Sequence, residues 1–251
     1  MSDRSADIDT WFRTVLMKLC RRLFAHGEYT RHEVQIRHGF VRPIDIAWHP
    51  SYIGWYKDES TREQARQKLG LPDAARVYLY FGYVKPYKGV EDLIEAFHSV
   101  QDDQSILLIV GKPLDEEIKI KIEVMASTDP RIKTFLGYVA DDDIQYYFRA
   151  ADVVVLPFRN TQTSGSLMLA LSYGCPVIAP KIATLPEYID TNSAIFFDPT
   201  IPGNLAHALG EATKAPLADM AKAAKWRAES LSWEDMARVH LASYVAIGDH
   251  A

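Results

Sequence analysis

The sequence predicts an α/β protein built on a doubly wound parallel sheet of Rossmann-like type. Six short runs of apolar, β-branched or aromatic residues recur at 77–81, 106–110, 134–136, 153–156, 177–179 and 194–197. They are continuous rather than alternating, as strands buried on both faces are. Amphipathic stretches with helical spacing fill the gaps between them, and strand–helix alternation with short loops implies parallel pairing. Gly82, Gly111, Gly137 and Pro157 each follow a run, where the chain must turn tightly.

Taken in order, residues 9–24 place Phe12, Leu16, Leu19, Cys20 and Leu23 at helical spacing with Arg13, Lys18, Arg21 and Arg22 interleaved. A packed surface helix is the favoured reading over one lying on an anionic membrane. Residues 28–37 read as a second helix and 44–48 as a short strand. The aromatic-rich stretch Trp48, His49, Pro50, Tyr52, Trp55 and Tyr56 reads as a linker between two compositions. Helices are expected at 90–99, where Val90, Leu93, Ile94 and Phe97 share a face, and at 116–126, 142–150 and 166–173. A last helix covers 233–247. The division expected is 1–50, 51–230 and 231–251.

Composition narrows the function classes. The chain has 251 residues, 48% hydrophobic and 24% charged, enough for one well-packed domain or for one domain with an appendage. A net charge of -5 argues against a nucleic-acid binder, which needs clustered Lys and Arg, so the expected partner is small. Cys20 and Cys175 show no CxxC spacing, and no His/Cys cluster accompanies them; neither a disulfide framework nor a zinc site is expected, and a reducing cytoplasm fits. No apolar run reaches the roughly 18 residues of a membrane span, and the first ten residues are acidic where a signal peptide is basic. Membrane contact, if any, is expected to be peripheral, at the inner face.

Residues 160–174, NTQTSGSLMLALSYG, carry the sharpest functional signal. Small polar residues run straight into a helix directly after a buried strand. A helix start has backbone N–H groups without intrahelical partners and the positive end of the macrodipole, so Thr163, Ser164, Gly165 and Ser166 can present donors to an anion. Thr163 or Ser164 acting simply as an N-cap explains the same residues at about equal weight.

The ordered segments FGYVKPYKGVEDLIEAF (81–97), ILLIVGKP (106–113), FLGYVADDDIQYYFRAADVVVLPF (135–158), SGSLMLALSYGCPVIAP (164–180), LPEY (185–188) and FFDP (196–199) together resemble the donor-binding half of a GT-B-fold glycosyltransferase of family 4. The resemblance begins near Ala47 and covers about four-fifths of the chain. It implies transfer of a sugar from a nucleotide diphosphate sugar to a hydroxyl acceptor, with retention of configuration, without a metal or other cofactor, in glycan or polysaccharide biosynthesis. The alternative reading is a donor-binding module that does not turn over without a separate acceptor domain.

The resemblance also assigns residues. Lys88 matches the lysine that holds the donor diphosphate, and Gly82 the glycine before it. Tyr83 stands where the family usually has arginine, so Lys85 is the candidate for the missing charge. Tyr138 and Val139 match the turn that reads the nucleotide base, with Tyr138 stacking on it. The helix start at Thr163–Ser166 matches the one that meets the diphosphate. Aligning on Gly174 puts Thr161 and Leu169 where many members have two glutamates; Leu169 cannot accept a hydrogen bond, so the catalytic residue is unassigned. Glu187 of LPEY is the nearest acidic candidate, with a helix-start role as its simpler reading. Asp141–Asp143 reads as a capping cluster rather than a cation site. Residues 1–48 resemble the last elements of the acceptor domain, and 233–247 the helix that crosses back to it. An uncovered apolar face on Phe12, Leu16, Leu19 and Leu23 implies self-association or a protein partner.

Overall fold

The computed structural model describes residues 3–248, which divide into two compact units: residues up to Pro50 together with those from Leu231 onward, and Ser51–Ser230.

The first unit is a single strand–helix–strand crossover. Helix α1 (Asp3–Leu19) leads to strand β1 (Leu23–Ala25), helix α2 (Glu28–His38) and strand β2 (Ile44–Ile46). β1 and β2 pair in parallel with Leu23 opposite Ile44. Ala25, Phe40 and Ile44 form its small core, with Met17 and Val34 packed on them. The helix expected over 9–24 therefore ends earlier. Arg42 donates to the carbonyls of Lys18, at 3.0 Å, and Cys20, and residues 23–25 are taken by strand pairing. Met17 and Thr14 are on the side of α1 that packs, Thr14 Oγ1 lying 2.7 Å from His38 Nδ1; Phe12, Leu16 and Leu19 stay exposed, as expected of an uncovered face, while Leu23 packs on the small core. The C-terminal helix (Trp233–Gly248) joins this unit. Its Ser243 hydroxyl donates to Asp45 at 2.6 Å and its His240 ring stacks on Phe24 at 4.0 Å.

The second unit opens with α3 (Arg62–Leu69), started by a reciprocal capping box between Thr61 and Gln64. Alternation then runs through β3 (Arg76–Phe81), a 3₁₀ turn (Pro86–Lys88), α4 (Val90–Phe97), β4 (Ser105–Gly111), α5 (Glu116–Ala126), β5 (Ile132–Leu136), α6 (Asp141–Ala150) and β6 (Val153–Val155). It continues with α7 (Gly165–Ser172), β7 (Val177–Pro180), α8 (Leu185–Tyr188), β8 (Ala194–Phe197), α9 (Asn204–Ala212) and α10 (Leu217–Glu229). The six strands are all parallel, in the order β5-β4-β3-β6-β7-β8. This is the doubly wound sheet expected from the continuous apolar runs. Leu79, Leu107, Ile109, Val154 and Ile178 are fully buried, each stabilising the fold by about 1.5–3 kcal/mol relative to exposure.

Two buried polar features pin the layers. Arg66, 1% exposed, donates to the carbonyls of Ala150, Pro72, Asp73 and Ala75 and to Asp152 at 2.9 Å. Asp152 in turn accepts from the Val77 amide at 2.7 Å and from Arg62 at 2.6 Å. Strand β3, helix α3 and the start of β6 are thereby tied at one point. Cys175 is buried with its thiol 3.4 Å from the Phe148 carbonyl, and burial pushes its pKa up to about 12. The acidic run Asp141–Asp143 fills the first turn of α6, as expected of a helix-start cluster, but none of the three is the N-cap, which is Ala140; Asp142 and Asp143 also pair with Lys57 at 2.6 Å and Lys68 at 2.7 Å.

Candidate functional site

In an open parallel sheet a crevice forms where adjacent strands send their connections in opposite directions, outside the carboxyl ends. Here that point lies between β3, whose next strand β4 is on one side, and β6, on the other. The residues leaving β3 and β6 therefore build the candidate site.

From β3 the chain passes Gly82, at φ 140°, and a Cβ there would lie 2.9 Å from the Ser166 hydroxyl. The β3 exit and the first turn of α7 are thus in contact. Val84 bonds to Lys112 and Leu114 beyond β4, and the Tyr80 hydroxyl donates to the Tyr83 carbonyl at 2.6 Å. The 3₁₀ turn then delivers Lys88 and ends at Gly89, φ 68°. A side chain at Gly89 would meet the Pro157 carbonyl oxygen at 1.9 Å, so this glycine is required by contact as well as by dihedral.

Lys88 is half-buried, with its ammonium 4.0 Å from the Phe158 ring centroid. It makes no ion pair among the described residues. Burial, then repulsion from Lys85, lowers its pKa to about 8. Lys85 itself lies over the Tyr83 ring at 5.4 Å. Two cations thus share one loop.

Across the crevice, α7 is capped by Ser164, whose hydroxyl accepts from the Leu167 amide at 3.1 Å. Of the two readings of this residue the N-cap is the one seen, and the Gly165 and Ser166 amides, in the first turn, have no intrahelical acceptor. Gly165 is exposed, and a Cβ on it would lie 3.5 Å from the Tyr52 hydroxyl. The loop before α7 is braced internally. Thr161 donates to the Thr163 carbonyl at 3.0 Å, and Thr184 donates to the Gln162 carbonyl.

At the β5 end, Gly137 donates to the Gly111 carbonyl at 3.1 Å, and Tyr138 follows with 80% of its surface exposed; Val139 is half-buried. Tyr138 and Tyr52 both act on the Tyr56 hydroxyl, whose pKa rises first through burial and next through Asp141. Glu187 sits in the first turn of α8 and lines a different recess, a cavity of 1260 Å³ bounded by β8, α8 and α10. Leu169 is buried in α7. Among the described residues no group of three His, Cys, Asp or Glu is placed to hold a metal.

The structure thus brings Gly82, Lys85, Lys88, Ser164, Gly165 and Ser166 to the β3–β6 exits, and Tyr138 and Val139 to the neighbouring β5 exit. Sequence reading missed Gly89, Phe158, Arg159 and Thr184. Gly89 had a usable signal, a glycine after the lysine of a short turn. Thr184 had none, since nothing local distinguishes it.

Residues 75–214 match the sequence profile of the family described as Glycosyl transferases group 1. The chain belongs to the group 1 glycosyl transferases. It is 33% identical over 214 residues to GDP-mannose:glycolipid 4-beta-D-mannosyltransferase of Xanthomonas campestris pv. campestris, covering 82% of this chain and 56% of that protein. It is 26% identical over 254 residues to D-inositol 3-phosphate glycosyltransferase of Streptomyces scabiei, covering 94% and 56%. The chain therefore spans about half the length of these curated relatives. Among solved structures, sucrose-phosphate synthase from Thermosynechococcus elongatus superposes with a TM-score of 0.85 at 19% identity, over 100% of this chain and 65% of that one. Anabaena HepE, solved with UDP and glucose, gives 0.76 at 18%, over 94% and 67%. At these identities the structural likeness shows the fold, which is that of a GT-B glycosyltransferase. No helix among the described residues is long and apolar enough to cross a membrane.

Proposed function

We propose that this chain binds a nucleoside diphosphate sugar at the β3–β6 switch point, within a family 4 glycosyltransferase that transfers the sugar to a hydroxyl acceptor in glycan biosynthesis. The observation that carries the reading is Lys88: a half-buried ammonium over the Phe158 ring, with no ion pair among the described residues and on the loop whose Gly82 lies against Ser166 of the α7 start, is arranged for an anion to complete it. As the bond between the anomeric carbon and the diphosphate oxygen breaks, negative charge grows on the diphosphate. Lys88 and the Gly165–Ser166 amides stabilise this added charge in the transition state more than the smaller diphosphate charge of the bound donor, which is the differential binding that lowers a barrier. Lys85 adds field from the same loop. Tyr138 takes the base and Thr161, in the loop before α7, lies on the donor side, whereas Glu187, which lines the separate recess of β8, α8 and α10, is left out of the diphosphate contacts. With cationic side chains and a helix dipole in this role, we propose turnover without a divalent cation, tested by activity in EDTA. We propose a cytoplasmic setting, with any membrane contact peripheral and at the inner face.

For stereochemistry we propose retention, in which the acceptor proton leaves to the departing phosphate oxygen on the face where the new bond forms. A second reading is favoured by one observation: the Xanthomonas relative carries a 4-beta product in its name. A β-linked product from an α-linked donor needs inversion, with the proton passing to a base on the acceptor side. The anomeric coupling of the product, read by NMR, separates the two. Donor binding itself is tested by calorimetry of GDP against guanosine and UDP against uridine. Equal affinity for nucleotide and nucleoside in both pairs removes the diphosphate site. A chain that binds nucleotide but transfers nothing by itself, and gains activity when an acceptor-domain polypeptide is added, is the donor-binding module.

A further inference from the structure

Three consecutive residues leaving β6 run antiparallel along the turn that carries Lys88. The Pro157 carbonyl abuts Gly89, and the Phe158 ring lies under the Lys88 ammonium. The Arg159 amide donates to the Tyr87 carbonyl at 3.0 Å, and its guanidinium reaches the Pro86 carbonyl at 3.4 Å. The same guanidinium holds Asp92 of α4 with two bonds, Nε to Oδ2 at 2.6 Å and Nη2 to Oδ1 at 2.5 Å. Arg159 therefore joins the β6 exit, the turn before Lys88 and the helix after it.

A 3₁₀ turn of three residues, closed by its own bonds from Lys88 to Lys85 and Gly89 to Pro86, does not hold its place alone. Its entry is tethered through Val84 and Tyr83. Its far side rests on residues 157–159. We infer that Arg159 is a positioning residue: paired with Asp92, it fixes the turn that aims the Lys88 ammonium at the donor diphosphate. This rests on the donor-binding reading above.

Direct phosphate contact is the competing role, because Tyr83 stands where an arginine is expected and Arg159 brings a guanidinium to the turn that carries Lys88. The geometry disfavours it. Nε and Nη2 are committed to a carboxylate, which neutralises the charge, and Nη1 leans on a carbonyl. As an ion pair the couple is half-exposed and contributes little stability, so its consequence is geometric.

The two roles give opposite results when Asp92 is removed. Asp92→Ala leaves Arg159 charged and free, adding positive charge beside the site. Positioning predicts weaker GDP or UDP binding, by about fivefold to tenfold; a phosphate ligand predicts tighter binding. Arg159→Ala is expected to weaken binding about tenfold in the native chain but less than about twofold in Lys88→Ala, since residues acting through one another are not additive. Arg159→Lys, which keeps charge but loses the fork, is expected to fall near Arg159→Ala. Calorimetry of the full chain with GDP and with UDP reads the cycle. Unchanged binding stoichiometry separates a shifted turn from a loss of folded protein, and the Asp92 variant carries the test if Arg159→Ala does not fold. Tighter binding by Asp92→Ala, or an equal Arg159→Ala effect in both backgrounds, overturns the inference. A native chain that binds neither nucleotide overturns the donor-binding reading instead.

Discussion

Lys88 and Phe158 face each other across the strand-order switch, the ammonium 4.0 Å from the ring centroid, with the lysine supplied by the exit of β3 and the ring by the exit of β6. Neither residue is at the site without both crossovers of the doubly wound fold. The ring offers a cation–π contact that replaces only part of the lost hydration, which leaves the ammonium in search of an anion.

Removing that ammonium is the direct test of the site. Lys88→Ala is expected to weaken GDP or UDP binding by about 1.5–3 kcal/mol, the range of a hydrogen bond to a charged group. Affinity for the matching nucleoside should stay the same, and calorimetry measures both. Thr161→Ala is expected to change either by less than about 0.5 kcal/mol, because its hydroxyl already donates to the Thr163 carbonyl.

Binding is expected to depend on pH through the same residue. The Lys88 pKa lies near 8 instead of 10.5. From about 7 to 8 the ammonium and the terminal phosphate, whose second pKa is about 6, are both ionised and affinity is flat. Above that range, binding a diphosphate must restore a proton, so affinity falls and proton uptake appears, read from calorimetry in buffers of different ionisation enthalpy. Stability of the free chain has the opposite sign. Between about 8 and 10.5 the unfolded state binds more protons at this site, so the Lys88 contribution makes stability rise with pH there. Lys88→Met is expected to abolish both effects.

Gly89→Ala is expected to break the turn. Its Cβ would sit 1.9 Å from the Pro157 carbonyl oxygen, and φ of 68° is strained for alanine. Backbone against backbone leaves no flexible end to yield, so the turn must move, costing about 1–3 kcal/mol or more. Thermal unfolding measures the loss, and nucleotide affinity should fall with it. At Gly82 the opposing atom is the Ser166 hydroxyl, which can rotate away, so the obstacle there is the dihedral.

Asp152→Ala separates stability from the site. It strips the buried Arg66 of its carboxylate and leaves the Val77 amide without that acceptor. Loss of one partner of a buried pair costs about 3–5 kcal/mol. Urea unfolding should show the drop, while the folded fraction keeps its nucleotide affinity.

The sheet was legible in the sequence because its strands are buried on both faces, and continuous runs such as 106–110 leave no alternative pattern. Gly82, Lys88 and the Ser164 helix start were legible because turn chemistry and capping are local. The end of α1 was not. Residues 20–23 continue a helical apolar spacing, and the pairing of Leu23 with Ile44, twenty-one positions away, overrides it. Helix α3 escaped notice because its residues REQARQKL are nearly all polar; its signal is the capping box, not a stripe. Arg159, through the Asp92 carboxylate, and Thr184, through the Gln162 carbonyl, act on partners distant in the chain, and no spacing rule encodes them.

The contrast between the two cysteines gives the protein a built-in reporter. Cys175 is sealed inside the second unit with its thiol held protonated, whereas Cys20 is partly open at the end of α1. Thiolate is the reacting species, so a maleimide added to the native chain at neutral pH modifies Cys20 alone. Once that position is blocked, any further uptake of reagent counts openings of the β6–β7 layer around Cys175. The rate of that second labelling, followed by mass spectrometry with and without GDP or UDP, converts nucleotide binding into a protection factor without any engineered probe.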